Sequence, residues 1–179
     1  WSTAYFPFVG MVLGALLGGL AWGLQPGLGA WVTALFVVGS AMMLTGAFHE
    51  DGLADTADAM GGAYDRDKLF VILKDSRIGT FGAAATFVVL GLRVALLARL
   101  GTGMPAALLL SQSLARCPPI WLMCMLPYAT TDPAAKSKLV TRASWPQALV
   151  ATSWPSLLLS AGLFLGWWSW QQSLAMLLV

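Results

Sequence analysis

Five long apolar segments, separated by short connections, dominate the pattern of this 179-residue chain. They lie at about Tyr5 to Leu24, Leu28 to Phe48, Phe81 to Ala98, Pro105 to Leu126 and Gln147 to Trp168. Each has roughly 20 residues, which is the length that an α-helix needs to cross about 30 Å of hydrocarbon. The pattern predicts an all-α fold, a polytopic integral membrane bundle of about five transmembrane helices.

The first apolar segment carries Gly10, Gly14 and Gly18 at a spacing of four residues. Residues at this spacing share one face of a helix. Small residues on such a face let a neighbouring helix approach closely, so we expect these glycines to serve helix packing.

The composition supports a membrane protein, because 58% of the residues are hydrophobic, 10% are charged and the mean hydropathy is +0.75. We expect one transmembrane helical domain over residues 1–179, with the lipid bilayer as its partner. The chain begins with Trp1 and not with Met, which suggests part of a longer protein. The net charge of +2 and the lack of a basic run exclude nucleic acid as a partner.

The basic residues of the connections lie almost entirely on one side of the predicted membrane. If the chain alternates sides, the second and fourth connections share a face that holds Arg66, Lys68, Lys74, Arg77, Lys136, Lys138 and Arg142. The opposite face has only Arg99. By the positive-inside rule, the second and fourth connections are predicted to be cytoplasmic.

The acidic residues are even more concentrated, since seven of the eight lie between Glu50 and Asp75. Asp51, Asp55 and Asp58 stand at positions i, i+4 and i+7, which places them on one face of a helix. Like charges at this spacing destabilise a bare helix, so the pattern indicates a bound cation. Oxygen ligands suit a hard ion such as Mg²⁺. Glu50 either adds a metal ligand or lies on the opposite face.

The acidic run directly follows an apolar segment, from Ala41 to Phe48, without a strong helix-stopping residue. We therefore expect the acids to extend a transmembrane helix into the cytoplasm. Carboxylates at a membrane boundary are candidates for a functional site. The alternative is that they form only the solvated end of a helix.

The second half of the same connection predicts a short amphipathic helix from Lys68 to Lys74, with Asp67 as its N-cap. It leads into the segment from Lys74 to Gly82, in which Lys74 and Arg77 flank a carboxylate and glycines precede the next helix. Such cations and the amides of a helix N-terminus suit phosphate oxygens. Residues 48–82 are therefore predicted to form an active-site segment at the cytoplasmic face.

A metal held by aspartates together with phosphate-binding cations is typical of phosphoryl transfer. A spare carboxylate or His49 could deprotonate the attacking hydroxyl. Arg116 lies at the predicted cytoplasmic end of the fourth segment, where it either faces this site and binds substrate or extends to the interface. Arg93 is expected to extend to the opposite interface.

Two motifs, from His49 to Asp58 and from Lys74 to Gly82, resemble the cobamide synthase family, the adenosylcobinamide-GDP ribazoletransferases. Weaker agreement comes from Phe6-Pro7-Phe8-Val9-Gly10 and Leu126-Pro127-Tyr128-Ala129. The resemblance implies a multi-pass enzyme of the bacterial cell inner membrane, acting in cobalamin biosynthesis with its active site on the cytoplasmic face. A membrane surface that holds a large corrinoid could also favour a homo-oligomer.

The family's reaction, as the resemblance implies it, joins α-ribazole or its 5′-phosphate to adenosylcobinamide-GDP with Mg²⁺ and releases GMP. Asp51, Asp55 and Asp58 would then hold the metal, and Asp75 would complete the metal shell or act as the base. Lys74 and Arg77 would bind phosphate. The choice of base between Asp75 and His49 stays open. Family members are usually longer, and their C-terminal Gly-Gly-Xaa-Thr-Gly-Asp element is not found in this sequence.

Two other functional classes fit parts of the pattern. A CDP-alcohol phosphotransferase also places aspartates at helical spacing, but its signature requires Asp-Xaa-Xaa-Asp-Gly, and the first aspartate is missing before Asp51-Gly52. A divalent-cation transporter could use the same carboxylates, although it needs acids within several spans, and those spans are almost free of acids here.

Overall fold

The structure is a computed structural model that describes residues 1–127 and 143–166. Within these ranges every regular element is helical, which confirms the all-α prediction. Short 3-10 helices cover Ser2–Tyr5 and Gly101–Gly103. The α-helices are α1 (Phe6–Thr45), α2 (Phe48–Gly62), α3 (Arg66–Ile72), α4 (Thr80–Leu100), α5 (Met104–Leu114), α6 (Cys117–Met125) and α7 (Trp145–Phe164).

Three stretches of the described chain are long and apolar enough to cross a membrane, Ser2–Thr45, Thr80–Met125 and Trp145–Phe164. The first two have 44 and 46 residues. At a rise of about 1.5 Å per residue, each could extend about twice the thickness of the hydrocarbon layer. The first and third predicted segments fall within these stretches, whereas the second and fourth run past their ends, to Phe48 and Leu126. The fifth ends at Trp168, outside the described residues.

Each of the two longer stretches is interrupted. Gly29 has φ 71° and ψ 170°, which breaks the helical geometry of α1 close to the predicted connection between the first two segments. The second stretch contains the 3-10 turn at Gly101–Gly103 and a further break between α5 and α6. The fourth predicted segment is therefore two short helices. The reason is visible in the sequence, because Pro118 and Pro119 suit the first turn of a new helix.

The predicted extension of a transmembrane helix into the acidic segment is wrong. Helix α1 ends at Thr45, and α2 begins anew at Phe48. Between them, Gly46 and Ala47 adopt left-handed conformations with φ values of 65° and 55°. Glycine adopts this conformation readily and ends many helices, so Gly46 was the available signal.

The short surface helix is present, but its predicted cap is wrong. Helix α3 begins at Arg66, and the side chain of Asp65 accepts a hydrogen bond from the amide of Lys68 at 2.8 Å. Asp67 instead lies in the first turn. Asp65 stands three residues before Lys68, which is the spacing that an N-cap needs.

The contacts divide the chain into two compact units, one of Trp1–Leu20 with Thr102–Val179 and one of Ala21–Gly101. The single domain over residues 1–179 stays a prediction. In the first unit, Gly14 and Gly18 face the backbone of α5, where an added Cβ would come within 2.6 Å of the Leu108 carbonyl oxygen and 3.0 Å of the Pro105 one. A side chain at Gly10 would collide with Gln112. The predicted packing role of the glycines is confirmed.

The second unit contains the acidic helix α2, which packs against α3 and α4. Its contact with α4 uses Glu50, Ala54, Asp58 and Gly61. These positions recur every three or four residues, so they form one stripe along α2. The early residue Glu50 contacts Arg93, whereas Asp58 contacts the first turn of α4, so the two helices run antiparallel.

Candidate active site

Asp58 binds the beginning of α4 with both of its carboxylate oxygens. Oδ2 accepts a hydrogen bond from the amide of Gly79 at 2.7 Å, and Oδ1 accepts one from the amide of Gly82 at 2.8 Å. Gly79 is the N-cap of α4 and Gly82 is the third residue of its first turn. In a capping box, side chains at these two positions satisfy the same two amides. Because both positions are glycines here, Asp58 supplies the cap from another helix.

The glycines of this motif are also needed sterically. A Cβ at Gly79 would lie 2.5 Å from Asp58 Oδ1, and a Cβ at Gly82 would collide with the other oxygen and lie 2.8 Å from the Ala54 carbonyl. On the facing helix, a side chain at Gly61 would collide with the ring of Phe81. Close approach of α2 and α4 thus depends on glycine at three positions. Gly61 was missed by the sequence reasoning.

Glu50 forms a second connection between the two helices. Arg93 donates a hydrogen bond from its guanidinium to Glu50 Oε1 at 2.8 Å, and the Glu50 side chain is only 10% exposed. The other oxygen, Oε2, is buried without a hydrogen-bond partner among the described residues. The predicted extension of Arg93 to the opposite interface is wrong, because a buried carboxylate binds it. A single arginine in an otherwise apolar part of α4 was the available signal.

Asp51 and Asp55 lie about 40° apart around α2, on the side next to the stripe that contacts α4. We call this side of α2 the open flank. Asp51 is exposed and Asp55 is partly exposed. Desolvation raises the pKa of Asp55, and the negative charges of Asp51 and Asp58 raise it further. The three carboxylates are therefore close enough to repel one another, as their spacing predicted.

These aspartates do not form a ready-made three-ligand set. In residues 1–127 and 143–166, no three side chains of His, Cys, Asp or Glu are grouped so that they could hold a metal ion. The reason is the orientation of Asp58, whose oxygens bind the amides of α4. Asp51 and Asp55 are left as the pair of acids on the open flank, and the metal assignment stays a prediction.

Asp75 and Arg77 form an ion pair in the loop before α4. The guanidinium donates from Nε to Asp75 Oδ1 at 3.0 Å and from its NH2 group to Oδ2 at 2.7 Å, and the amide of Arg77 also donates to this carboxylate. These hydrogen bonds lower the pKa of Asp75 to about 2. Arg77 keeps most of its surface exposed, with 87% of its side chain accessible.

The remaining predicted residues have different surroundings. His49 is exposed, its ring lies edge-on to Phe48, and it is about 120–180° around α2 from the three aspartates. Lys74 is exposed in the same loop as Arg77. Arg116 belongs to the other unit, where it donates a hydrogen bond to the Gln112 side chain at 3.0 Å. Its substrate-binding role stays a prediction.

A family model described as cobalamin-5-phosphate synthase matches residues 1–179. The chain belongs to this family. The match covers both the acidic and the basic motif, and therefore the whole α2–α4 pair.

Curated relatives with the name adenosylcobinamide-GDP ribazoletransferase agree with the family assignment. One from Albidiferax ferrireducens is 42% identical over 146 residues, 76% of this chain and 52% of its own length. One from Polaromonas sp. is 38% identical over 188 residues, 92% of this chain and 67% of its own length. One from Leptothrix cholodnii is 37% identical over 175 residues, 92% of this chain and 64% of its own length.

The chain thus spans between about half and two thirds of the length of these curated relatives. No solved structure matches the chain. Several residues named from the sequence lie outside the described ranges. They are Tyr128, Ala129, Lys136, Lys138 and Arg142.

Proposed function

We propose that the protein is a membrane-embedded, Mg²⁺-dependent phosphotransferase that joins α-ribazole or its 5′-phosphate to adenosylcobinamide-GDP and releases GMP. The observation that carries this proposal is the family match over residues 1–179, because relatives that share most of the chain are named adenosylcobinamide-GDP ribazoletransferase. The α2–α4 pair supports it with clustered carboxylates and nearby cations.

The carboxylates of Asp51 and Asp55 are the proposed ligands of Mg²⁺. Mg²⁺ commonly binds through one or two carboxylates, completed by waters and substrate phosphates. The donor set on the open flank of α2 fits this requirement. Desolvation raises the pKa of Asp55 most, and the negative charges of Asp51 and Asp58 raise it further, a repulsion that a cation would relieve. When bound, the metal would neutralise the developing charge on the pyrophosphate.

Asp58 has a supporting role in this proposal. Its carboxylate fixes the start of α4 against α2 and still contributes negative charge beside Asp55. A carboxylate can accept further interactions while it accepts two hydrogen bonds, so metal binding by Asp58 stays compatible with its cap.

Arg77 and Lys74 are the proposed phosphate-binding residues. Asp75 and Arg77 form a bidentate ion pair. Because the Arg77 side chain is largely exposed, a phosphate could also bind it. The loop that carries both cations leads directly into α4, whose first turn is bound to the acidic helix. The loop therefore ends at Asp58, which binds the amide of Gly79 and lies about one helical turn from Asp55.

The proton of the attacking hydroxyl needs an acceptor. In the proposed step, a hydroxyl oxygen of the ribazole bonds to the phosphorus on the cobinamide side of the pyrophosphate. The bond from that phosphorus to the bridging oxygen breaks, GMP leaves, and the hydroxyl proton passes to a base. Asp75 is a weak base because its pKa is about 2, and His49 lies on another side of α2 from the aspartates. Both candidates remain to be separated by their pH profiles.

The three apolar stretches, each long enough to cross a membrane, support a multi-pass membrane protein. We further propose that the active-site segment, residues 48–82, opens at the cytoplasmic face of a bacterial cell membrane, because the basic residues of the connections favour that side. The lipid bilayer is the environment of the helices, and the corrinoid and ribazole are the proposed substrates.

The test is a GMP-release assay on purified full-length protein in detergent or vesicles. GMP formation that requires adenosylcobinamide-GDP, α-ribazole or its 5′-phosphate, and Mg²⁺ together is the expected result. A cation transporter would move the ion without releasing GMP, and a CDP-alcohol phosphotransferase would release CMP from a CDP-alcohol. Either of these results, with no GMP from the cobinamide substrate, contradicts the proposal.

A further inference from the structure

The ion pair between Glu50 and Arg93 is unusual because of its place along α4. Arg93 lies 13 residues after Thr80, the first residue of α4, which is about 20 Å at the helical rise. The charged loop with Lys74 and Arg77 precedes α4, and Arg99 lies at its other end. Arg93 is therefore well inside the apolar length of a candidate membrane span.

Helix α2 has a length that matches this placement. From Glu50 to Gly62 it rises about 18 Å, and Gly61 lies against Phe81 in the first turn of α4. The acidic helix thus runs beside α4 from the first turn to the level of Arg93. The sequence pattern had predicted an extension into the cytoplasm. In the structure α2 instead lies along α4.

An isolated arginine at such a depth is costly, and pairing with a carboxylate offsets part of this cost. The Glu50 side chain is nine-tenths buried and its Oε2 has no described hydrogen-bond partner. A buried carboxylate with an unsatisfied oxygen is costly, so a purely apolar contact would stabilise the helix pair at least as well. The ion pair is better explained by structural specificity, because it selects one position of α2 beside α4.

We propose that Glu50 and Arg93 are positioning residues whose ion pair fixes the depth and rotation of the acidic helix beside α4, so that Asp51 and Asp55 are held on its open flank. This assigns Glu50 to a charge partner on α4 and not to the metal. The effect on catalysis rests on the proposed function, whereas the effect on helix position does not.

The first experiment exchanges the two charges in full-length protein. Glu50→Leu and Arg93→Leu each leave one charge unpaired, and the double variant Glu50→Arg/Arg93→Glu restores a pair of opposite orientation. We expect kcat for GMP release to fall about 10- to 100-fold in each single variant, as for misplaced catalytic groups, and to recover at least tenfold in the exchanged variant. The Mg²⁺ concentration for half-maximal rate should stay unchanged in the exchanged variant.

A metal-ligand role for Glu50 predicts the opposite, because arginine at position 50 cannot bind Mg²⁺. An exchanged variant that stays as inactive as Glu50→Leu, or that needs much more Mg²⁺, overturns the proposal. The double variant Glu50→Leu/Arg93→Leu controls for folding, since apolar replacement of a buried pair is often neutral for stability. It should keep the melting temperature while kcat stays low.

A second measurement does not require activity. Spin labels at the exposed positions Met60 on α2 and Val88 on α4 report the distance between the helices by pulsed electron paramagnetic resonance. We expect one narrow distance in the otherwise unaltered protein and in the exchanged variant, and a broad or shifted one in Glu50→Leu. A distance that does not change in Glu50→Leu overturns the positioning role, even if the protein releases no GMP.

Discussion

Both carboxylate oxygens of Asp58 accept backbone hydrogen bonds, whereas Asp51 and Asp55 face the open flank of α2. Three aspartates that look equivalent in the sequence therefore have two different roles. Sequence spacing places them on one helical face, but it contains no information on which oxygen meets the amides of Gly79 and Gly82. That choice depends on how closely α4 approaches.

Replacement of Asp58 by alanine should destabilise the protein more than replacement of Asp51. Loss of a capping carboxylate costs about 0.5–2 kcal/mol, whereas Asp51→Ala removes a repulsive charge and loses no cap. Thermal unfolding of the two variants in detergent measures the difference. Equal melting temperatures for Asp58→Ala and Asp51→Ala would show that the cap does not contribute.

The raised pKa of Asp55 predicts a stability that depends on pH and on Mg²⁺. A carboxyl group whose folded pKa lies above its ordinary value of 3.8 favours folding at low pH, and this contribution is lost as the pH rises through the folded pKa. We expect the metal-free protein to lose stability over this rise and Mg²⁺ to restore it at neutral pH. Melting curves with Mg²⁺ and with a chelator measure this effect.

The matched variants are Asp55→Asn, which removes one negative charge from α2, and Asp67→Asn, which removes one from α3. Asp55→Asn should abolish the stabilisation by Mg²⁺, and Asp67→Asn should retain it. The same stabilisation in both variants would contradict a metal site on the open flank of α2.

The Asp75–Arg77 pair predicts the form of the pH–rate profile. The pKa of Asp75 in the folded protein is about 2, below its ordinary value of 3.8. The ion pair therefore stabilises the folded state above pH 3.8, and this contribution is lost as the pH falls through about 2. Asp75 stays ionised throughout an assay near neutral pH. Asp75→Asn should lower the rate by the same factor at every pH and leave the acid limb in place. Disappearance of that limb in Asp75→Asn, with an unchanged limb in His49→Gln, would identify Asp75 as the base.

At the scale of the helices, the contact between α2 and α4 depends on residues without side chains. Gly82 faces Asp58 and the Ala54 carbonyl, whereas Gly91 on the same helix has open space around the position of a Cβ. Gly82→Ala should therefore lower the melting temperature and the rate of GMP release. Gly91→Ala should raise stability by up to about 1 kcal/mol through its helix propensity. If Gly82→Ala behaves like Gly91→Ala, the close approach of the two helices is not required.

The sequence predicted the existence of most helices but not their breaks. Apolar length indicated the membrane stretches, and the position of α3 was found because its hydrophobic residues have helical spacing. The break at Gly46 and Ala47 was missed since a single glycine is a weak signal within an apolar run, and alanine at a left-handed φ carries no signal at all. Arg93 was wrongly expected at the opposite interface because its partner, Glu50, is 43 residues away, beyond any local pattern.

At the scale of the whole molecule, hydropathy was sufficient for the all-α membrane architecture, and motif resemblance was sufficient for the family. The candidate site required both the residue spacing and the structure. Spacing indicated the charge cluster of the three aspartates, and only the structure distinguishes the cap, the ion pair and the open flank. Substrate identity depends on the relatives, which extend well beyond the length of this chain.

The central claim is that Asp51 and Asp55 hold the Mg²⁺ that ribazole transfer requires. The most direct test is the rate of GMP release by full-length protein with Asp51→Asn, Asp55→Asn or the control Asp67→Asn, over a range of Mg²⁺ concentrations. Removal of a metal ligand should reduce the rate at least about 100-fold or raise the Mg²⁺ requirement by a similar factor. Asp67→Asn should match the unaltered protein. Unchanged rates and Mg²⁺ requirements in both Asp51→Asn and Asp55→Asn would contradict the assignment.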